Sequence, residues 1–390
     1  MKTSLNLKLA VFTTSRLVVN TSQRMIYPFL AVFASGLNVD IGTISLAMAV
    51  SMAAGAMGPF IAPIADRRGR KTGILVGLLI FLVGMLAASL FPSVTTFFIA
   101  IIFGSLGNNV MLPAMQAYLG DHTPYEKRGF YLAVIELSWA LSFILFVPLA
   151  GIILEKTTWN GPFIALAIAA AIMTVLVIWV VPGDEKSGEP SLNIFHDIRK
   201  VFACKPAVLA MLMGFTFIIG NEVVNVMFGV WMQDTYNLQI AALGAASVVI
   251  GLSELSGEGI AAFMADRLGK ERSIAAGIIA NGLFVITLPI LGGSQIGAFV
   301  WLFLFFMSFE VTIISALPLM NELVPEARAT AMALFIAAFS LGRALGDLAA
   351  PHLFKGGMLV NALVCFGFNL VALFILSRIR SPQTTTPSQT

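Results

Sequence analysis

The segments "APIADRRGRKTG" (Ala62 to Gly73) and "AFMADRLGKERS" (Ala262 to Ser273) place one Ala-Asp-Arg-x-Gly-basic pattern twice in a single chain, with Asp66 and Asp266 200 positions apart. A second correspondence follows each copy. "DHTPYEKRG", from Asp121, answers "NELVPEARA", from Asn321, and Arg128 and Arg328 are again 200 apart. The two halves of the chain therefore read as parallel repeats of one structural unit.

Composition says what that unit is made of. Of 390 residues, 58% are hydrophobic and 11% charged, and the mean hydropathy is +0.92. That is far more apolar than a soluble globular protein. About 20 apolar residues cross a hydrocarbon core of about 30 Å as a helix. Twelve such spans are predicted, at approximately 9 to 34, 42 to 65, 73 to 91, 95 to 120, 129 to 154, 161 to 182, 207 to 232, 241 to 265, 273 to 292, 296 to 321, 329 to 353 and 357 to 377. They are called helices 1 to 12. The first is too long for the apolar core of a secretion signal, contains Arg16 and Arg24, and has no small-residue cleavage site, so it is read as a span. Cys204 and Cys365 suggest neither a disulfide framework nor a metal site.

Lys and Arg cluster in alternate loops. One set holds Arg67, Arg68, Arg70 and Lys71, then Lys127 and Arg128, the 186 to 205 region, Arg267, Lys270 and Arg272, Arg328, and Arg378 and Arg380; the opposite loops hold only Lys156 and Lys355. The positive-inside bias makes the first set, and with it both termini, cytoplasmic in a multi-pass protein of the cell membrane. "PGDEKSGEPSLNIFHDIRKVFACKP", Pro182 to Pro206, is the longest polar interruption. It divides a six-helix bundle at 1–182 from a second at 207–380, with a cytoplasmic linker at 183–206 and a disordered tail at 381–390. Leu192, Ile194, Phe195, Ile198 and Val201 suggest a short surface helix within the linker.

With the repeat, the loop motif and twelve spans in place, the chain resembles the major facilitator superfamily over essentially its whole length. "ADRRGRK" is similar to that family's motif between helices 2 and 3, with Ala62 where Gly is usual; "ADRLGKER" resembles its weaker second copy, and "VPEARATAMAL" is also family-like. Within the family the chain looks most like the twelve-helix drug/proton antiporter branch. It departs from that branch's patterns: Ala100 stands four residues before Gly104 where an Arg is usual, and "VPLAGI" keeps only Pro148 and Gly151 of a Gly-rich helix 5 motif. The resemblance implies an all-α integral membrane protein, two pseudo-symmetric six-helix bundles, and a central cleft lined by helices 1, 4, 7, 8 and 10. It also implies gating by the loop motifs, through Asp66, Arg67, Gly69, Arg70, Asp266, Arg267, Arg128 and Arg328. Asp66 is expected to accept from Arg70 and to face the positive N-terminus of helix 11, latching the halves.

Ionisable residues at membrane depth mark candidate sites, because each costs about 2.5 to 3.5 kcal/mol even on the lenient insertion scale. The cations are Arg16, Arg24 and Arg343; the acids are Glu136, Glu222, Glu254, Glu258, Glu310 and Asp347. Such an acid excess repels itself, so one or more carboxyls are expected to exchange protons near neutral pH. Glu222, Glu254, Glu136, Glu310, Asp347 and Arg343 are the proton-coupling candidates.

Helical spacing groups Arg16, Asn20, Gln23, Arg24 and Tyr27 in one stripe of helix 1. Ser247, Gly251, Glu254 and Glu258 share a face of helix 8. Asn221, Glu222 and Asn225 form a patch on helix 7, and Asn109, Pro113 and Gln116 one on helix 4, with a kink expected at Pro113. The substrate-binding candidates are Arg16, Asn20, Arg24, Tyr27, Asn109, Gln116, Asn225 and Trp139; of the other aromatics, Phe143, Phe228 and Trp231 offer grips for a hydrophobic compound. By rise per residue, Arg24, Glu222, Arg343 and Asp347 fall in the outer half, where they could neutralise one another, and Arg343 and Asp347 could form their own pair. Arg16, Glu136, Glu254, Glu258 and Glu310 fall in the inner half.

The leading functional expectation is a secondary transporter working by alternating access, exporting small amphipathic or cationic compounds in exchange for protons, as a monomer among membrane lipids. A second makes Arg16 and Arg24 an anion clamp for symport or flipping of an organic anion or lipid headgroup. A third is a non-transporting sensor or scaffold. An enzyme is not expected, nor a cofactor or a nucleic-acid partner: three histidines form no metal-ligand cluster, and no nucleophile or phosphate-cradling motif is present.

Overall fold

A computed structural model of the protein describes residues 4–57, 69–183 and 194–379. In chain order, helix 1 comprises Leu5–Arg24 and Ile26–Leu37, and helix 2 Ile41–Gly55. Helix 3 is Arg70–Leu90, helix 4 Val94–His122 and helix 6 Gly161–Val180. Helix 5 is composite: Tyr125–Glu136, Ser138–Leu141, a π-helical turn over Ser142–Phe146, and Val147–Lys156. After a linker helix at Ile194–Ala203, helix 7 comprises Lys205–Asn225 and Phe228–Tyr236. Helix 8 is Ile240–Leu268, helix 9 Lys270–Ile286 with Leu288–Leu291, helix 10 Gln295–Leu323, helix 11 Arg328–Phe354 and helix 12 Met358–Leu376. Among the described residues, 9 helical rods are by themselves long and apolar enough to cross a membrane; helices 1, 2 and 9 occupy the remaining positions of the expected order, consistent with twelve spans.

The halves repeat in detail. Helix 3 packs on 4 and on 6, helix 2 on 4, and helix 1 on 5 and 6; in the second half 9 packs on 10 and 12, 8 on 10, and 7 on 11 and 12. Turns repeat too. Asn38 and Asn237 both adopt left-handed backbone (φ 55 and 52) at the ends of helices 1 and 7, a conformation Asn tolerates better than most residues. Gly69 and Gly269 open helices 3 and 9 at φ 97 and 79, where a Cβ would be strained. This is why the motif glycine recurs at the 200-residue spacing. Ser93 and Ser294 cap helices 4 and 10 through their hydroxyls.

Helices 1 and 7 both break at the same register. Pro28 cannot donate to the carbonyl of Arg24, and helix 1 interrupts at Met25. Helix 7 interrupts at Val226 and Met227 without a proline. In helix 5 the π-helical turn precedes Pro148, which likewise removes a donor from the helical ladder. Helix 4, in contrast, runs through Pro113 as one element.

The lobes meet along helices 2 and 11, 5 and 8, and 1 and 7. The first two pairs are equivalent under exchange of the halves. The close approaches lie in the half of the bundle remote from Leu5 and Leu376, here called the far end. A Cβ on Gly229 would stand 2.5 Å from the Pro28 carbonyl oxygen, and one on Gly251 2.8 Å from that of Ala140. A Cβ on Gly244 would lie 3.2 Å from Pro148 Cα. Toward the terminal end the seam is looser: over Tyr125–Glu136 of helix 5 only Ile135 is buried.

The linker helix rests on helix 11 and the turn before it, where Lys200 reaches Glu326 at 3.0 Å. Its observed start at Ile194 agrees with the expected surface helix; Leu192 lies outside the described residues.

Candidate transport site at the lobe seam

Helix 1 carries its polar stripe to the seam. Arg24, 2% exposed, donates from Nη2 to Glu254 of helix 8 at 2.5 Å and from Nη1 to the Trp139 carbonyl of helix 5 at 3.1 Å. Its guanidinium lies over the Phe143 ring at 3.7 Å and the Trp139 ring at 4.2 Å, geometry that favours a cation through the ring quadrupole. Arg24 therefore pairs with Glu254 across the lobes. The outer-half grouping of Arg24 with Glu222 is corrected: depth along a helix says nothing of azimuth, and a long guanidinium stem reaches down to a carboxylate one or two turns away.

One and two turns earlier, Asn20 and Arg16 stay within the first lobe. Arg16 binds Glu136 at 2.8 Å and the Ile135 carbonyl at 3.1 Å; Gln116 of helix 4 donates to the other Glu136 oxygen at 3.0 Å. Asn20 reaches Ser138 at 3.4 Å. Asn109 instead donates to the Gly55 carbonyl at 3.3 Å, which ties helix 4 to helix 2.

Glu222 of helix 7 gathers three donors: Tyr27 of helix 1 at 2.8 Å, Asn225 at 3.3 Å and Arg343 of helix 11 at 3.3 Å. Arg343 thus serves Glu222 and not Asp347, so the expected pair on helix 11 is not formed. Both Asp347 oxygens are buried without a hydrogen-bond partner. Glu310 is buried on helix 10 beside Gly257 of helix 8, in the field of Glu254 and Glu258, and makes no hydrogen bond among the described residues. Glu258 is half-buried.

The gating candidates separate. Asp66 and Arg67 lie outside the described residues; Asp266 is on helix 8. Arg70 bonds Asp121 at 3.3 Å, from helix 3 to the end of helix 4. Lys270 bonds Glu322 in the corresponding place between helices 9 and 10. This doubled clamp was legible as basic residues after each motif glycine and acids ahead of "TPYEKR" and "VPEAR", but the sequence reading did not pair them. Arg128 donates to the Thr123 carbonyl at 3.1 Å, Arg267 covers Phe263 at 4.1 Å, and Arg328 is exposed at the start of helix 11. A buried amide chain was also missed: Asn221, Asn369, Asn281 and Ser308 link helices 7, 12, 9 and 10. Isolated asparagines in apolar spans carry no pairing signal of their own.

Outside the spans, Asp40 caps helix 2. Hydrogen bonds from the Thr43 hydroxyl and amide hold its carboxyl below the usual carboxylate range.

Two repeated lobes that meet over buried ions, with a seam tight at one end and looser at the other, have the architecture of a membrane transporter. A family model for the Major Facilitator Superfamily matches residues 12–347 and 210–389, and the chain belongs to that family. It is 26% identical over 378 residues to the uncharacterized MFS-type transporter YceJ of Bacillus subtilis, covering 94% of this chain and 93% of the relative. It is 24% identical over 262 residues to multidrug resistance protein 2 of the same organism, covering 63% and 64%. It is 25% identical over 346 residues to the cis,cis-muconate transport protein of Acinetobacter baylyi, covering 82% and 81%. The nucleoside transporter NupG shares the fold at a TM-score of 0.78 and 14% identity, over 96% of this chain and 100% of that one. The protein is a multi-pass membrane transporter of small molecules and not an enzyme.

Proposed function

We propose that this transporter exports small amphipathic or cationic compounds in exchange for protons, with both termini cytoplasmic and the lobes at 1–182 and 207–380 rocking about the 183–206 linker. The observation that carries the reading is Glu254. It is buried, bonded across the seam to an arginine held between two aromatic rings, and has Glu310 and Glu258 below it toward the terminal end. A cation entering from that end meets an acidic, aromatic-lined approach, and an entering proton can replace it on the same carboxyls. The basic loops support cytoplasmic termini. Asp66, Arg67, Gly69 and Arg70, with Asp266, Arg267, Arg128 and Arg328, act in this reading on closure of the cytoplasmic end, and the Arg70–Asp121 and Lys270–Glu322 clamps keep each lobe rigid while it moves.

The test is proton movement in proteoliposomes on addition of lipophilic cations. Wild-type protein should give substrate-dependent proton flux, and Glu254→Gln or Glu222→Gln should abolish it. Flux that persists in Glu254→Gln overturns the assignment. The muconate-transporting relative favours a second reading, in which Arg16 and Arg24 receive an organic anion. Competition by dicarboxylates but not by lipophilic cations selects it. Against it, both guanidiniums are already bonded to acids.

A further inference from the structure

Helix 11 presses on helix 7 through glycine. A Cβ on Gly346 would stand 2.5 Å from Glu222 Cβ, and one on Gly342 2.9 Å from the Phe215 carbonyl oxygen. This contact puts Asp347 beside Glu222 at the height where helix 7 breaks and where Gly229 meets the backbone of Tyr27 and Pro28. The two carboxyls are treated very differently. Glu222 accepts from Tyr27, Asn225 and Arg343, the ligand set of an ionised carboxylate. Asp347 is 0% exposed, and no donor reaches either of its oxygens.

An ionised Asp347 here would be an unsolvated second negative charge with one guanidinium serving two acids. Uncompensated buried charges of that kind are neutralised by protonation. The titratable and charged groups facing it are Glu222 on helix 7, Arg343 on its own helix and Tyr27 on helix 1. Helix 2 over Ile41–Gly55 has no ionisable side chain, helix 12 has only Cys365, and Glu310 of helix 10 faces Glu254 and Glu258 instead.

We propose that Asp347 and Glu222 hold one proton between them, and that this proton locks the far-end seal. Protonated, Asp347 is neutral and leaves Arg343 and Tyr27 to Glu222, so the Tyr27–Glu222 bond joins the lobes. When the proton leaves to water at the far end, Asp347 becomes a second anion, draws Arg343 away from Glu222 and requires solvent. Solvent reaches it by parting the lobes at the far end, where helix 1 meets helix 7 and helix 2 meets helix 11. The proposal deepens the proton-coupled reading above by assigning the seal its own proton site, separate from Glu254.

The experiment uses full-length protein in nanodiscs without substrate or gradient, so its outcome does not depend on what is exported. Spin labels go on Ser35→Cys and Gln239→Cys in a Cys204→Ser, Cys365→Ala background, one on each lobe at the far end. Double electron–electron resonance should show one short distance at mildly acidic pH and a longer population at mildly alkaline pH. The long-to-short ratio should rise about tenfold per pH unit at its steepest, the signature of one proton. Asp347→Asn should stay short at both pH values, and Asp40→Asn, at an exposed capping carboxyl outside the seam, should keep the shift. Infrared spectra of the wild type should show a buried protonated-carboxyl band that disappears in step with the distance change. The proposal is overturned if Asp347→Asn retains the pH-driven shift, if the shift follows sodium at fixed pH, or if no protonated-carboxyl band exists at acidic pH. The wild-type infrared and distance data decide the matter even if Asp347→Asn does not fold. Flux lost in Glu254→Gln while the wild-type distance shows no pH-driven shift, or flux kept in Glu254→Gln while the wild type shows it, tells the two readings apart.

Discussion

The two lobes share helix order, packing partners, left-handed turns and clamps, yet they differ in charge. Of the membrane-depth ions, the first lobe supplies Arg16 and Arg24 with Glu136 as its sole acid, whereas the second supplies Glu222, Glu254, Glu258, Glu310 and Asp347 against Arg343 alone. The architecture is common to both halves; the chemistry is divided between them. Ions within the first lobe satisfy one another, as Arg16 and Glu136 do, while Arg24 must cross the seam to find Glu254. The unequal division of charge thus places an ion pair across the seam.

The largest effect that would break this contrast is at Arg24. Arg24→Ala leaves Glu254 buried and unpaired, and should cost about 3–5 kcal/mol in thermal unfolding. Adding Glu254→Ala should recover part of that loss. A double variant no more stable than Arg24→Ala would show that the pair does not hold the lobes. Next comes the backbone contact at the far end. Gly229→Val forces side-chain atoms against the Pro28 carbonyl and should cost about 1–3 kcal/mol, with a longer distance between far-end spin labels. An unchanged distance would remove helices 1 and 7 from the seal.

Smaller effects test the shared architecture. Lys270→Ala removes a half-exposed clamp and should lower stability by only about 0.2–1 kcal/mol, less at high salt. Smallest of all is Asp40→Asn. Because its folded carboxyl lies below the ordinary range, Asp40 favours the folded state above the unfolded value of about 3.9, and that contribution fades as pH falls through the lower folded value. Unfolding midpoints of wild type and variant should therefore differ near neutral pH and converge in acid.

Much of the shared architecture was readable in advance. The 200-residue spacing, the alternating basic loops and the amphipathic linker each reflect a local constraint: a left-handed glycine, an interfacial charge, a half-buried helix. The Arg16 to Tyr27 stripe was readable because helical period places those residues on one face. What could not be read was which face meets which. Arg24 and Glu254 are 230 positions apart, and Tyr27 and Glu222 195, so nothing local joins them. The break at Val226 and Met227 has no proline to announce it. The isolation of Asp347 depends on Arg343 turning to another helix, a choice made only by tertiary packing.

The Arg24 side chain, held between Trp139 and Phe143, has one more consequence. On the export reading proposed above, its guanidinium is a tethered guest that an incoming cation has to displace. Selectivity then measures how much better a compound's shape suits the two rings and the acid than a guanidinium already there. That reading therefore expects bulky aromatic cations, which can meet both rings, to compete better than weakly apolar ones.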